Sequence, residues 1–116
     1  MSLVAKIAVI FVAFVHIYIL VLEMFFWDKP LGLRAFGLSK EFAAASKVLA
    51  ANQGLYNGFL AAGLLWGLII ADLRIQMFFL VCVIIAGAYG AVTANKKILW
   101  MQAMPALLAF VLVTLV

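Results

Sequence analysis

Charged residues are scarce in this sequence. Asp, Glu, Lys and Arg make up only 10% of the 116 residues, whereas 71% are hydrophobic. So few charges cannot cover the surface of a water-soluble protein, and we therefore predict a protein whose solvent is lipid. A hydrocarbon layer of about 30 Å takes about 20 apolar residues per helix, which leaves no length for a separate soluble domain.

Residues and motifs that carry chemistry are equally few. The single cysteine, Cys82, cannot form an internal disulfide, and one histidine with one carboxylate falls short of a metal site. Glycine-rich phosphate loops and Cys-x-x-Cys pairs are absent, and no serine adjoins His16 to suggest a triad. The net charge of +4 is scattered between apolar runs, which favours membrane lipid over nucleic acid as partner. We predict no metal and no cofactor.

Four apolar runs near span length lie between the charged clusters. Continuous runs of this length indicate helices, because barrel strands would alternate in polarity. We predict one all-α membrane domain over residues 1–116, a four-transmembrane-helix antiparallel bundle with Ser39 as N-cap of the second helix. Gly32 and Gly37 are expected to make turns. The predicted spans are 3–26, 48–71, 75–94 and 98–116, with residues 27–47 as an interfacial connection.

The distribution of lysine and arginine predicts the orientation. Six lie in the first and third connections and two on the opposite side. The positive-inside rule then places both termini outside the cytoplasm, in a multi-pass protein of the inner (plasma) membrane.

Polar side chains inside the spans are costly, so their positions are informative. His16 and Glu23 are seven residues apart and share a helix face, and four polar residues make one stripe on the second helix. With the predicted topology, all four helices deliver polar groups to the cytoplasmic half, where we predict a pocket with His16 near its floor; the outer half is expected to be closed. The predicted ligand-binding residues are His16, Glu23, Asn52, Gln53, Tyr56, Asn57, Tyr89, Thr93 and Gln102.

Structural roles compete with this interpretation. The amides, Thr93 and Tyr89 also suit interhelical hydrogen bonds, Glu23 suits the interface, and His16 suits a structural bond. Pro105 predicts a helix kink. Small residues recur at helix-contact spacing and favour a homo-oligomer, with a dimer preferred. These stripes are Ala50, Gly54, Gly58 and Ala62; Gly63 and Gly67; and Ala86, Gly90 and Ala94.

Four segments resemble a bacterial family of small membrane proteins, domain of unknown function 1304. They are HIYILVLEMFFW (16–27), ANQGLYNGFLAAGL (51–64), AGAYGAVTANKKIL (86–99) and QAMPALL (102–108). The resemblance covers nearly the whole chain, and its HxxxxxxE and NQGxYNG elements are the most specific. It implies four helices in a compact single domain and brings no activity with it.

Three functions remain open from the sequence. The leading hypothesis is a protein that binds or translocates a small amphipathic or hydrophobic molecule in the predicted pocket. The second is a membrane enzyme, an isomerase or hydrolase of a lipophilic substrate, with Glu23 or His16 as acid or base. The third is a structural or assembly subunit that associates through Gly54 and Gly58.

Overall fold

The computed structural model describes residues 1–115, and almost all of them are helical. The described residues contain no strand, so the all-α prediction is confirmed. Val116, the end of the predicted fourth span, lies outside the described residues. The helices are α1 (Leu3–Phe25), α2 (Pro30–Phe36), α3 (Lys40–Ile69), α4 (Leu73–Thr93) and α5 (Met104–Leu115), and a π-helical turn (Leu99–Ala103) directly precedes α5.

Two helices of the described chain, α1 and α4, are long and apolar enough to cross a membrane. Helix α3 has ample length, but Asn52, Gln53 and Asn57 dilute its apolar content. The π-turn and α5 form an apolar segment, Leu99–Leu115, that is shorter. By length and composition, the chain therefore has two candidate spans where the sequence predicts four.

The chain divides into two compact units. The second unit comprises residues 16–59, and the first comprises residues 1–15 and the chain from residue 60 onward.

In the second unit, the C-terminal half of α1 packs against the N-terminal half of α3 through glycines. A Cβ added at Gly54 would lie 2.7 Å from the Met24 Cγ and 3.2 Å from the Leu20 carbonyl oxygen, and one at Gly58 would lie 2.5 Å from the Leu20 Cδ1. These small residues do permit a close helix approach, as predicted. The helix that they contact here is α1 of the same chain, and the association of two chains through these glycines stays a prediction.

The connection between α1 and α3 contains a helix that the sequence does not predict. Helix α2 begins at Pro30 and ends at Phe36, and it is capped by Gly37, which has φ 64° and donates its N–H to the Leu33 carbonyl. Gly37 thus makes the predicted turn, since a left-handed cap favours glycine. Gly32 does not, because it lies inside α2, where a Cβ would collide with the carbonyl oxygen of Phe26.

Ser39 begins α3 as predicted. Its hydroxyl oxygen accepts a 3.1 Å hydrogen bond from the Phe42 N–H, three residues ahead. This bond satisfies one of the free amide groups at the start of a helix. The N-cap prediction is confirmed.

In the first unit, α4 contacts the end of α3 on one side. Gly63 faces the ring of Phe79, and a Cβ at Gly67 would lie 2.8 Å from the Gln76 Cγ. This contact confirms that the second predicted glycine pair is a site of close approach, with α4 as the neighbour.

Helix α4 also packs against the π-turn through Gly87. A Cβ there would lie 2.6 Å from the Ala103 nitrogen. The predicted stripe of Ala86, Gly90 and Ala94 is only partly correct. Ala86 and Ala94 are exposed, and the buried face of α4 carries Gln76, Leu80, Val83 and Gly87.

The tight α3–α4 turn is built without glycine. Ala71 has a positive φ of 54°, and the N–H of Asp72 donates to the Gly67 carbonyl at 2.9 Å. The Asp72 carboxylate then caps α4 by accepting from the N–H groups of Arg74, at 2.9 Å, and Ile75, at 3.4 Å. The turn places α3 and α4 as the neighbours that their short connection predicts.

Pro105 is preceded by the π-helical turn, where the backbone departs from a regular α-helix. The N–H of Met104 donates to the Leu99 carbonyl, which is the i to i+5 bond of a π-helix. The proline has no N–H for the carbonyl four residues earlier, and the chain accommodates this by widening one turn.

Candidate functional site

The site is centred on a hydrogen bond between α1 and α3. The Asn57 Nδ2 donates to the Glu23 Oε1 at 2.6 Å and to its own helix, at the Gln53 carbonyl, at 3.1 Å. Both side chains are half-buried. A Cβ at Gly54 would lie 3.1 Å from the Glu23 Cβ, so the glycine lets the backbones approach closely enough for a short asparagine to reach the carboxylate.

Glu23 has a neutral partner. The ion pairs of the described residues join Asp28 to Lys47 at 3.1 Å and Asp72 to Arg74 at 3.8 Å, and neither includes Glu23. An amide donor can bond to the carboxylate without neutralising it.

A second set of polar contacts joins the residues just after α1 to the first turns of α3. The Trp27 indole N–H donates to the Ser46 hydroxyl at 3.0 Å, and its ring packs 5.0 Å from that of Phe36. Next to it, Lys47 donates to Asp28, and this bond lowers the pKa of the Asp28 carboxyl below its ordinary value. The sequence shows Trp27 as an interfacial aromatic residue but gives no sign of its partner, which lies 19 residues away.

The predicted polar stripe of α3 divides between two environments. Asn57 turns to Glu23, whereas Asn52, Gln53 and Tyr56 are exposed. The Asn52 amide donates to the Val48 carbonyl of its own helix at 2.9 Å, and Tyr56 is 52% exposed. This face of α3 therefore presents three polar side chains outward.

The other predicted residues fall in separate places. His16 is 0% exposed on the buried stripe of α1 that includes Ile19 and Leu22. In the first unit, Tyr89 is 71% exposed, the exposed Thr93 donates to the Tyr89 carbonyl at 2.7 Å, and Gln102 is half-buried in the π-turn. The hydrogen bond between Asn57 and Glu23 joins two of the predicted residues across two helices.

Two cavities lie in the first unit, and their linings include none of the nine predicted residues. One is an open groove of about 510 Å³ beside Trp66, Phe78 and Arg74. The other, about 250 Å³, is more enclosed. Its lining comprises Met1, Lys6, Leu68, Ala71, Leu73, Gln76 and Val113.

Sequence reasoning overlooked Gln76, a polar residue of that second cavity. It is 2% exposed, although it lies close to the start of α4. The signal was present, because an amide inside a predicted span is costly in the same way as Asn57.

Comparison with known proteins places the chain among relatives of unknown activity. The sequence pattern of the family described as protein of unknown function (DUF1304) matches residues 10–114. An uncharacterized protein, YpaA, from Lactococcus lactis subsp. lactis is 35% identical over 115 residues, which cover 96% of this chain and 97% of that protein. No solved structure matches the chain significantly.

Proposed function

We infer that this chain, which belongs to the DUF1304 family, is an integral membrane protein that binds or translocates a small amphipathic molecule. Its membrane-crossing segments are α1, α3, α4 and the π-turn with α5, and both termini lie on the non-cytoplasmic side. The apolar length of α1 and α4 supports this, as does the high apolar content of the whole chain. Helix α3, with 30 residues, is long enough to cross despite its amides.

The observation that carries the proposal is the bond between Glu23 and Asn57. A carboxylate in a membrane helix is costly, and residues of this kind mark binding sites and transport pathways. The bond to Asn57 holds the Glu23 side chain in place and brings no positive charge to it. We therefore propose that the polar end of the ligand is cationic, such as an amine or a quaternary ammonium group.

The exposed face of α3 completes the site. Asn52, Gln53 and Tyr56 lie on the same half of the helix as Asn57 and present donors and acceptors outward. In lipid these groups require polar partners, which a ligand or a second copy of the chain supplies. A homodimer with this face toward its counterpart covers the amides and gives an amphipathic molecule a polar path beside Glu23.

A pair of probes with opposite charge and similar shape tests the charge preference. Tetraphenylphosphonium and tetraphenylborate differ chiefly in sign, and equilibrium dialysis against purified protein in a neutral detergent measures the binding of each. We expect the cation to bind and the anion not to bind. Glu23→Gln keeps the size of the side chain and removes its charge, so it should weaken cation binding at least about tenfold, or about 1.4 kcal/mol.

Glu41→Gln is the matched control, because Glu41 is an exposed glutamate in the first turn of α3. It should bind the cation as the unmodified protein does. Equal binding of both probes, or full binding by Glu23→Gln, would rule out Glu23 as the site of the charge.

A further inference from the structure

The smaller cavity of the first unit is lined in part by a residue whose buried side-chain oxygen has no hydrogen-bond donor. Gln76 contributes to its lining and is 2% exposed. The Gln76 Nε2 donates to the Gly67 carbonyl at 3.1 Å and to the Asp72 carbonyl at 3.4 Å. Its Oε1 accepts no hydrogen bond from the described residues. Both amide protons are used, and the carbonyl oxygen is the part of the side chain that still needs a donor.

The hydrogen bonds of the Gln76 amide nitrogen fix the orientation of the side chain, so its Oε1 stays without a donor. Its two acceptors are backbone carbonyls at the end of α3 and in the turn to α4, so the amide cannot rotate without losing both bonds. The Gln76 Cγ also lies where a Cβ at Gly67 would be, 2.8 Å away, which indicates tight packing of its stem. A buried acceptor that cannot turn away is costly unless something donates to it.

The rest of the lining adds positive charge and apolar walls. Lys6 supplies a positive charge, and Leu68, Leu73 and Val113 supply apolar surface. At about 250 Å³, the cavity is smaller than the roughly 300–1,000 Å³ of sites for drug-sized ligands, and it suits a headgroup-sized molecule.

We propose that this cavity binds an anionic group that also carries a hydrogen-bond donor, of the kind found in a glycerol phosphate headgroup. The phosphate pairs with Lys6 and a hydroxyl donates to the Gln76 Oε1, while adjoining carbon atoms contact the apolar walls. A membrane lipid and a free polyol phosphate share this chemistry. The site is separate from the proposed cation site at Glu23.

The thermal stability of the full chain in dodecyl maltoside tests the proposal. The probes are dihexanoyl phosphatidylglycerol, dihexanoyl phosphatidylcholine and glycerol 3-phosphate. Phosphatidylcholine has the same tails but lacks a net charge and a headgroup donor, so it is the matched negative probe. We expect a saturable rise in Tm with phosphatidylglycerol and none with phosphatidylcholine. A similar rise with glycerol 3-phosphate supports the same site and identifies a soluble source for the ligand.

Two variants test whether the rise in Tm comes from binding in this cavity. Lys6→Gln changes an exposed side chain, so it should leave the fold intact and weaken phosphatidylglycerol binding at least about tenfold. Gln76→Met keeps the approximate shape and removes both polar atoms, and it should abolish the preference for a hydroxyl headgroup. Lys97→Gln, at an exposed lysine outside the lining, is the control and should bind normally. Equal Tm shifts with the two lipids, or unchanged affinity in Lys6→Gln, would overturn the proposal.

Discussion

Glu23 of α1 accepts a 2.6 Å hydrogen bond from Asn57 of α3, 34 residues further along the chain. The contact depends on Gly54, which lies beside the Glu23 Cβ and leaves no side chain between the two helices. A carboxylate, an amide and a glycine thus work as one unit: the glycine sets the distance, and the amide fixes the direction of the carboxylate.

The first prediction concerns the energy of this pair. We expect Glu23→Leu and Asn57→Leu each to lower stability, and the double variant to lower it by less than the sum. The coupling should lie between about 0.6 and about 1.7 kcal/mol, the mean and the maximum found by double-mutant cycles for hydrogen bonds between membrane helices. Unfolding in mixed micelles with increasing dodecyl sulfate measures all four proteins. Strict additivity would show that the bond contributes nothing to stability.

The second prediction compares two glycines of the same contact. Gly54→Ala places a methyl group against a backbone carbonyl and two side-chain atoms, so we expect a loss of about 1–3 kcal/mol. Gly58→Ala meets only the flexible end of Leu20, and its gain in helix propensity offsets the contact. It should therefore be nearly neutral in the same unfolding assay. If Gly58→Ala were the more damaging of the two, the described packing of α1 on α3 would be incorrect.

The third prediction uses the left-handed residue in the α3–α4 turn. Ala71 has a φ of 54°, a conformation that costs a residue with a Cβ roughly 1 kcal/mol. Ala71→Gly removes this cost and should raise stability, even though glycine usually lowers it. Ala44→Gly, at an exposed position inside α3, is the control and should lower stability by about 0.5–1 kcal/mol. The two alanines should therefore respond with opposite signs in thermal unfolding.

The fourth prediction tests the membrane topology. In a Cys82→Ala background, a cysteine in place of Arg74 and one in place of Lys97 mark the two ends of α4. A membrane-impermeant maleimide should label them from opposite sides, with position 97 accessible from the cytoplasm. Labelling of both from one side would show that α4 does not cross the bilayer.

The fifth prediction concerns pH. The hydrogen bond from Lys47 holds the pKa of Asp28 below its ordinary value of 3.8. Because the folded pKa is the lower one, the stabilisation is fully present above pH 3.8 and is lost as the pH falls through the folded value. Lys47→Met should therefore lower Tm at pH 6, and the difference from the unmodified protein should shrink in strong acid. A difference that stays constant with pH would point to a cause other than this pair.

The main helices could be predicted from the sequence because they are long apolar runs bounded by charged residues. Ser39 and the tight turn at Asp72 follow from local chemistry and are found where the sequence places them. Helix α2 was not predicted, because Pro30 and Gly32 look like helix breakers. Proline at the first position of a helix is favourable, however, and Gly32 is required by a neighbouring carbonyl that lies outside its own helix.

The candidate site could be predicted only in part. Helical spacing puts Asn52, Gln53, Tyr56 and Asn57 on one side of α3, but it cannot show which of them a neighbouring helix reaches. In the structure, Asn57 donates a hydrogen bond to Glu23 because it adjoins the glycine face of α3. The other three polar residues of this side are exposed. The same limit explains the error on α4, where the contact runs through Gly87 and not through Ala86, one residue earlier.

The π-turn has a consequence for the length of the chain. Ile98 packs against Gly90, and Ala103 packs against Gly87, so two residues five apart contact the same face of α4. In an α-helix, five residues would point about 140° away from one another, whereas the wider turn brings them onto one side. Such a turn is equivalent to one extra amino acid inserted into a regular helix. Homologous chains that lack one residue between positions 99 and 103 should therefore keep α5 in register with α4, and alignments of the family should tolerate a single-residue gap at that point.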